Sequence, residues 1–108
     1  MASRKEYLEY ILDGLSLLDG ITYKPMMGEY ILYYNGRIFG GIYDDRLLVK
    51  PVKAARAMMP DAPLSLPYEG AKDMLLVENT DDREFLCSLV QAMEGELPQP
   101  RKSRKEVT

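Results

Sequence analysis

The stretch MMGEYILYYNGRIFGGIYDDRLLVKP, residues 26–51, decides the fold of this chain. Short runs rich in β-branched and aromatic residues are separated by Asn35-Gly36 and Asp44-Asp45, so the stretch predicts successive antiparallel strands. Asn-Gly favours a type I′ turn, because both central residues of that turn need a positive φ. Asp44-Asp45 can form the second turn, although aspartate tolerates a positive φ less well than glycine does. The stretch therefore predicts two consecutive hairpins.

Pairing across these turns sorts the strand residues into two faces. Counting outward from Asn35-Gly36 without interruption pairs Leu32 with Phe39 and Ile31 with Gly40. The face expected to pack on helices is nearly all aliphatic: Ile31, Tyr33, Ile38, Ile42, Leu47 and Val49. The opposite face is aromatic with three cations interspersed: Tyr30, Leu32, Tyr34, Arg37, Phe39, Tyr43, Arg46, Leu48 and Lys50.

The aromatic face is the candidate interaction surface. Tyrosine is common at protein interfaces, because its ring can be buried against apolar groups while its hydroxyl remains hydrated. Most of the binding energy of an interface comes from a few aromatic and arginine residues. The anchors expected here are Tyr30, Tyr34, Arg37, Phe39 and Tyr43. Two alternatives stay open. The chain's own short helix and proline-rich loop can cover this face, or its aromatics can stack nucleic-acid bases.

Helical patterns lie at both ends of the chain. Ser3 and Glu6 fit a capping box at the start of the first helix, and Gly20 supplies its stop. The last helix begins near Asp81 and ends before Pro98. Between them, the sequence predicts an edge strand over residues 21–27, a short helix over 52–59, a loop over 60–72 and a fifth strand over 74–77. This pattern predicts an α+β two-layer fold, with an antiparallel sheet of about five strands and flanking amino- and carboxy-terminal helices.

Length and charge divide the chain into one domain and a tail. A chain of 108 residues fits a single domain, expected over residues 1–97. Residues 98–108 carry four basic residues and one acidic residue, so this segment has a net charge of +3 and is expected to be a disordered tail. The remaining residues carry a net charge of −6, which disfavours binding to nucleic-acid phosphates.

The residue types for most catalytic sites are absent. The chain has no histidine, so Ser-His and Cys-His nucleophilic arrangements are impossible. Glu29 and the Asp44-Asp45 pair can approach each other and bind a hard cation, but Asp-Asp is also ordinary turn chemistry, which we favour. Cys87 fits a buried packing position. We therefore expect no catalytic, cofactor or metal site, and no enzyme.

Five segments together resemble the TfoX amino-terminal domain family. They are MMGEY, LYYNGRIFGGIYDDRLLVKP, KAARAMMPD, PYEGAK and DDREFLCSLV. The residues that carry the family motif are Gly28, Glu29, Tyr30, Gly36, Phe39, Gly40 and Lys50. The chain departs from the family pattern at Met27, Ile31 and Gly41, where we expect compensating packing changes around the hairpin.

The resemblance implies a fold and a class of function. It spans approximately residues 5–97 and implies a compact α+β domain without catalytic residues or a cofactor. The best-known family members resemble transcriptional co-activators of competence and carry a second domain, whereas this chain resembles single-domain members. We expect a cytoplasmic, non-enzymatic interaction domain that binds a protein partner, such as the transcription machinery, or itself. The alternatives are a nucleic-acid-binding protein that uses the sheet aromatics and basic tail, and a small enzyme or ligand binder with a pocket under residues 60–72. We expect no membrane association and no strong nucleic-acid binding.

Overall fold

One antiparallel sheet with helices on one side forms the domain. The computed structural model describes residues 3–98. Its helices are α1 (Lys5–Gly14), α2 (Lys53–Met58) and α3 (Arg83–Met93), the last followed by a 3₁₀ turn at Glu94–Glu96. Its strands are β1 (Ile21–Met26), β2 (Glu29–Tyr34), β3 (Arg37–Ile42), β4 (Leu47–Val49), β5 (Leu64–Ser65) and β6 (Met74–Leu76). The order across the sheet is β1-β2-β3-β4-β6-β5, which confirms the α+β prediction with one strand more than expected.

Both predicted hairpin turns are present. Asn35 and Gly36 have φ values of 53° and 82°, as a type I′ turn requires. Asp44 and Asp45 also have positive φ, and the pair that flanks them, Tyr43 and Arg46, exchanges backbone hydrogen bonds of 2.9 and 3.0 Å. The two turn sequences therefore position β2, β3 and β4 as expected.

The predicted register fails three residues after the first turn. Tyr33 pairs with Ile38 as expected, but the next pair joins Leu32 to Gly40, so Phe39 has no partner on β2. This β-bulge shifts every later pair by one residue, and Gly41 rather than Gly40 lies opposite Ile31. The predicted division into an aliphatic and an aromatic face is consequently wrong.

The helices cover the face that contains the bulged residue. On this inner face, Phe39 is fully buried in one core cluster with residues from all three α-helices. The cluster joins sheet residues from both predicted faces: Leu32, Tyr34, Phe39, Ile42, Leu47, Val49 and Leu75. Burying the Phe39 ring favours the bulge, because a regular pairing would turn Ile42, Leu47 and Val49 away from the side where Phe39 packs.

The outer face of the sheet carries the remaining residues. Cross-strand partners share a face, so Ile31 and Gly41 lie together there, as do Tyr33 and Ile38. Tyr43, Leu48 and Lys50 follow by alternation along their strands. Half of the residues predicted to pack on the helices, namely Ile31, Tyr33 and Ile38, instead lie on this outer face.

The helix ends differ in how they are capped. Ser3 does not form the predicted capping box; the cap residue of α1 is Arg4, without a side-chain hydrogen bond. At α3, the Asp82 carboxylate accepts a hydrogen bond of 3.0 Å from the Phe85 N–H, as the acidic helix start suggested. No helix in residues 3–98 is both long and apolar enough to cross a membrane. The predicted basic tail lies, apart from Pro98, outside the described residues.

Candidate functional site

An open groove crosses the outer face of the sheet. Its volume is about 590 Å³. Apolar side chains form most of its floor and walls: Met26, Ile31, Ile38, Tyr43, Pro67 and Met74. Charged residues border it: Lys50, Lys72, Asp73 and Glu96. We call this site the outer groove.

The loop after β5 forms one wall of the outer groove and is anchored at its base. The Arg46 guanidinium donates to the Ser65 hydroxyl and, at 3.2 Å, to the Leu66 carbonyl. The Tyr68 ring lies close to the Tyr43 ring, with the two ring centroids 6.2 Å apart. Tyr68 nevertheless remains 57% exposed, so the wall presents an accessible aromatic side chain.

Tyr43 forms the buried centre of the outer groove. Its side chain is only 7% exposed, and an added Cβ at Gly41 would lie 2.6 Å from its ring. Gly41 therefore makes room for this ring. Burial raises the pKa of the Tyr43 hydroxyl, and the neighbouring Tyr68 and Glu29 raise it further. The phenol stays neutral at physiological pH, so it is an uncharged part of an apolar surface.

The five predicted anchors do not form one surface. Phe39 and Tyr34 belong to the inner core, where their exposures are 0% and 8%. Tyr30 is partly buried against the same core, and Arg37 donates to the Glu94 carbonyl at 2.9 Å. Only Tyr43 contributes to the outer groove. Three of the five predicted anchors thus belong to the core or pack against it.

The residues that sequence reasoning missed are mainly aliphatic. Ile31 and Ile38 were assigned to the core but line the outer groove, together with Met74 and Tyr68. One signal could have identified them. Glycine inside a strand often marks a bulge, and the bulge at Phe39, next to Gly40, reverses the assignment of β2 relative to the later strands. An added Cβ at Gly40 would lie 2.1 Å from the Leu48 carbonyl oxygen, so glycine is required there.

The candidate carboxylates have structural partners. Glu29 accepts hydrogen bonds from the Ser3 hydroxyl and, at 3.2 and 3.3 Å, from the Asp44 N–H. Asp45 accepts from the Arg4 backbone N–H and pairs with its guanidinium, each at 2.8 Å. These bonds join the start of α1 to the β3–β4 turn, and we call them the amino-terminal latch.

The latch has an electrostatic consequence at Asp45. The hydrogen bond from the Arg4 N–H, followed by the contribution of its guanidinium, lowers the pKa of the Asp45 carboxyl, because both favour the ionised form. Across residues 3–98, no group of three or more His, Cys, Asp and Glu side chains is placed to hold a metal ion. Through its bonds to Asp44 and Ser3, the family-motif residue Glu29 connects the β3–β4 turn to the segment that precedes α1.

Comparisons with known proteins agree with the motifs. The sequence profile described as the TfoX N-terminal domain matches residues 13–92, which is most of the chain. A relative from Spirochaeta aurantia, "Uncharacterized 12.7 kDa protein in trpE 5'region", is 29% identical over 109 aligned residues, covering all of this chain and 94% of the relative. No solved structure matches the chain significantly.

Proposed function

The chain belongs to the TfoX N-terminal domain family, and we propose that it is a non-enzymatic interaction domain whose outer groove binds an apolar segment of a partner protein. One observation carries this proposal: the helices of the described chain pack on the inner face, which leaves an apolar groove open on the outer face. Ile38 is 36% exposed and Tyr68 is 57% exposed at this groove. Exposed apolar surface bordered by polar residues is typical of protein-binding sites.

The chemistry of the groove favours a protein over a charged ligand. Its border carries both signs of charge, with Lys50 and Lys72 near Asp73 and Glu96. The Glu96 carboxylate also accepts a hydrogen bond from the Ala54 N–H at 2.8 Å. A phosphate-rich ligand would need a predominantly basic surface, whereas an apolar segment with scattered polar groups matches this arrangement.

A regulatory role in the cytoplasm is part of the proposal. The regulatory role rests on the resemblance to regulators of competence, whose amino-terminal domain has this pattern. The cytoplasmic setting rests on the single cysteine, which cannot form an internal disulfide. The transcription machinery is one class of partner consistent with that resemblance. The alternative, nucleic-acid binding through sheet aromatics and the basic tail, now has fewer aromatics available, because Tyr34 and Phe39 are buried.

The test compares two exposed apolar residues on different surfaces. Ile38→Lys alters the outer groove, and Tyr10→Lys alters α1 at a residue with similar exposure, 43%. Each protein, with a photoreactive side chain introduced at Tyr68, is cross-linked in its native host and the attached proteins are identified. We expect a defined partner with the parent and Tyr10→Lys proteins, and its loss with Ile38→Lys. Circular dichroism confirms that each variant is folded.

A second measurement addresses the nucleic-acid alternative. Labelled duplex DNA is titrated into the full chain and into a chain without residues 99–108, at low and moderate salt. We expect weak, salt-sensitive binding that disappears with the tail. Tight DNA binding that persists without the tail would overturn the proposed function. So would cross-linking of the same proteins by the parent, Ile38→Lys and Tyr10→Lys chains.

A further inference from the structure

Among residues 3–98, β1 pairs only with β2, and its other edge presents a limited set of unpaired backbone groups. Antiparallel strands alternate between residues that bond their neighbour and residues that point away from it. The Asn35 N–H donates to the Gly20 carbonyl at 2.9 Å, so Gly20 is one of the residues that bond to the β2 side. Every second residue does the same, and the backbone groups of Thr22 and Lys24 therefore also bond to β2. Ile21 and Tyr23 consequently direct their N–H and C=O groups to the open edge.

Pro25 limits how far this edge can pair. It occupies the next outward-facing position, where its missing N–H removes a donor from the edge. Within β1, only Ile21 and Tyr23 therefore offer both a donor and an acceptor to an additional strand. Four free backbone groups at two alternate positions favour a short antiparallel partner.

An apolar groove lies beside the same edge. Its volume is about 480 Å³, and it is formed between the end of α1 and β1. Its apolar lining residues are Leu12, Leu15, Leu18, Ile21 and Tyr23. The groove exists because α1 ends at Gly14 and does not extend over β1. Tyr23 is 43% exposed here, so the edge combines backbone groups with accessible apolar surface.

These features are complementary to themselves, and we propose that two copies of this chain pair through β1 around a twofold axis at Thr22. Ile21 of each copy then lies opposite Tyr23 of the other, and their backbone groups form four hydrogen bonds. Each Tyr23 ring packs beside the other copy's Ile21 and the groove lined by Leu18. This register uses both N–H groups that β1 presents at its edge and places the Ile21 and Tyr23 side chains of the two copies on the same face.

The pattern of free backbone groups on β1 and the topology of the sheet support a second copy as the partner. The other end of the sheet is β5, which has only two residues. Twofold pairing uses the free edge of β1 in each copy, and β5 at the other end of the sheet is too short to continue it. Association therefore stops at a dimer.

The dimer uses a surface separate from the outer groove, so this inference and the proposed function can fail independently. The full chain is examined by sedimentation equilibrium over micromolar to millimolar concentrations. We expect a monomer–dimer equilibrium, weakened at least about tenfold by Tyr23→Pro because each copy loses a donor at the centre of the pairing. Ile38→Lys should leave it unchanged.

Hydrogen exchange provides a readout on the unmodified chain. The Ile21 and Tyr23 amides should become protected as concentration rises, while the Thr22 amide, bonded within the monomer, should change little. A chain that remains monomeric throughout, or a dimer without concentration-dependent protection at Ile21 and Tyr23, overturns the inference.

Discussion

Ile31 on β2 lies directly opposite Gly41 on β3, on the outer face of the sheet. The large Ile31 side chain on one strand therefore faces glycine, the smallest residue, on the other. Gly41 also accommodates the Tyr43 ring. Ile31 lines the outer groove and Gly41 makes room for Tyr43, so the pair shapes the floor of this groove. Compensating packing changes relative to the family pattern stay a prediction.

The bulge makes opposite predictions for two adjacent residues. Phe39→Ala should lower the free energy of unfolding by about 3–5 kcal/mol, because Phe39 is fully buried in the core. Ile38→Ala should cost at most about 2 kcal/mol, since Ile38 is 36% exposed. Urea denaturation measures both. An equal or larger loss at Ile38 would contradict the observed register.

The first hairpin turn depends on a positive φ at Gly36. Gly36→Val places a β-branched residue at a φ of 82° and should lower the free energy of unfolding by roughly 1–3 kcal/mol. The matched control is Gly95→Val, because an added Cβ at Gly95 meets no atom within 4 Å. Guanidinium melts should show a change of about 0.5 kcal/mol or less for this control. Similar losses for the two variants would argue against a type I′ turn.

The start of α3 separates a capping carboxylate from an adjacent exposed one. Asp82→Ala should lower the free energy of unfolding by about 1 kcal/mol, because the Phe85 N–H loses its acceptor. Asp81→Ala, at the preceding exposed position, should change it by about 0.5 kcal/mol or less. Thermal denaturation followed by circular dichroism distinguishes them. Equal effects would show that the cap contributes nothing specific.

The amino-terminal latch should make stability depend on pH in the acid range. The folded-state pKa of Asp45 is lowered, so the unfolded state binds more protons at this group and stability rises with pH. Its contribution is present above the unfolded pKa of about 4 and is lost as pH falls through the lower folded value. Denaturation midpoints measured from about pH 7 to pH 2 should therefore fall less steeply for Asp45→Asn than for the parent chain.

A matched variant controls for the loss of one negative charge. Asp61→Asn removes an exposed carboxylate from the segment after α2, far along the chain from the latch. Its midpoints should follow those of the parent chain across the same pH range. If both variants flatten the acid dependence equally, net charge rather than the bond between Arg4 and Asp45 is responsible.

Local chemistry determined most of the elements from the sequence. Asn35-Gly36 and Asp44-Asp45 specify turns through their tolerance of positive φ, and Pro25 marks an edge strand because it lacks a donor. Family membership follows from the same local motifs. The sequence also indicated the two terminal helices, because their apolar residues recur with helical spacing.

Only the tertiary structure decided which residues face solvent. Successive residues of a strand point to opposite faces of the sheet. One bulge at Phe39 therefore reverses the face assigned to the residues on one side of it relative to those on the other side. That bulge is favoured by burying Phe39 beside residues from all three α-helices, most of them distant in the sequence. Likewise, the wall of the outer groove depends on Arg46 bonding to Ser65 and Leu66, a contact that no local pattern encodes. The sequence by itself determined where both hairpin turns and most of the strands lie, although the short strand β5 falls in a predicted loop. Non-local packing determined which surface the strands leave open.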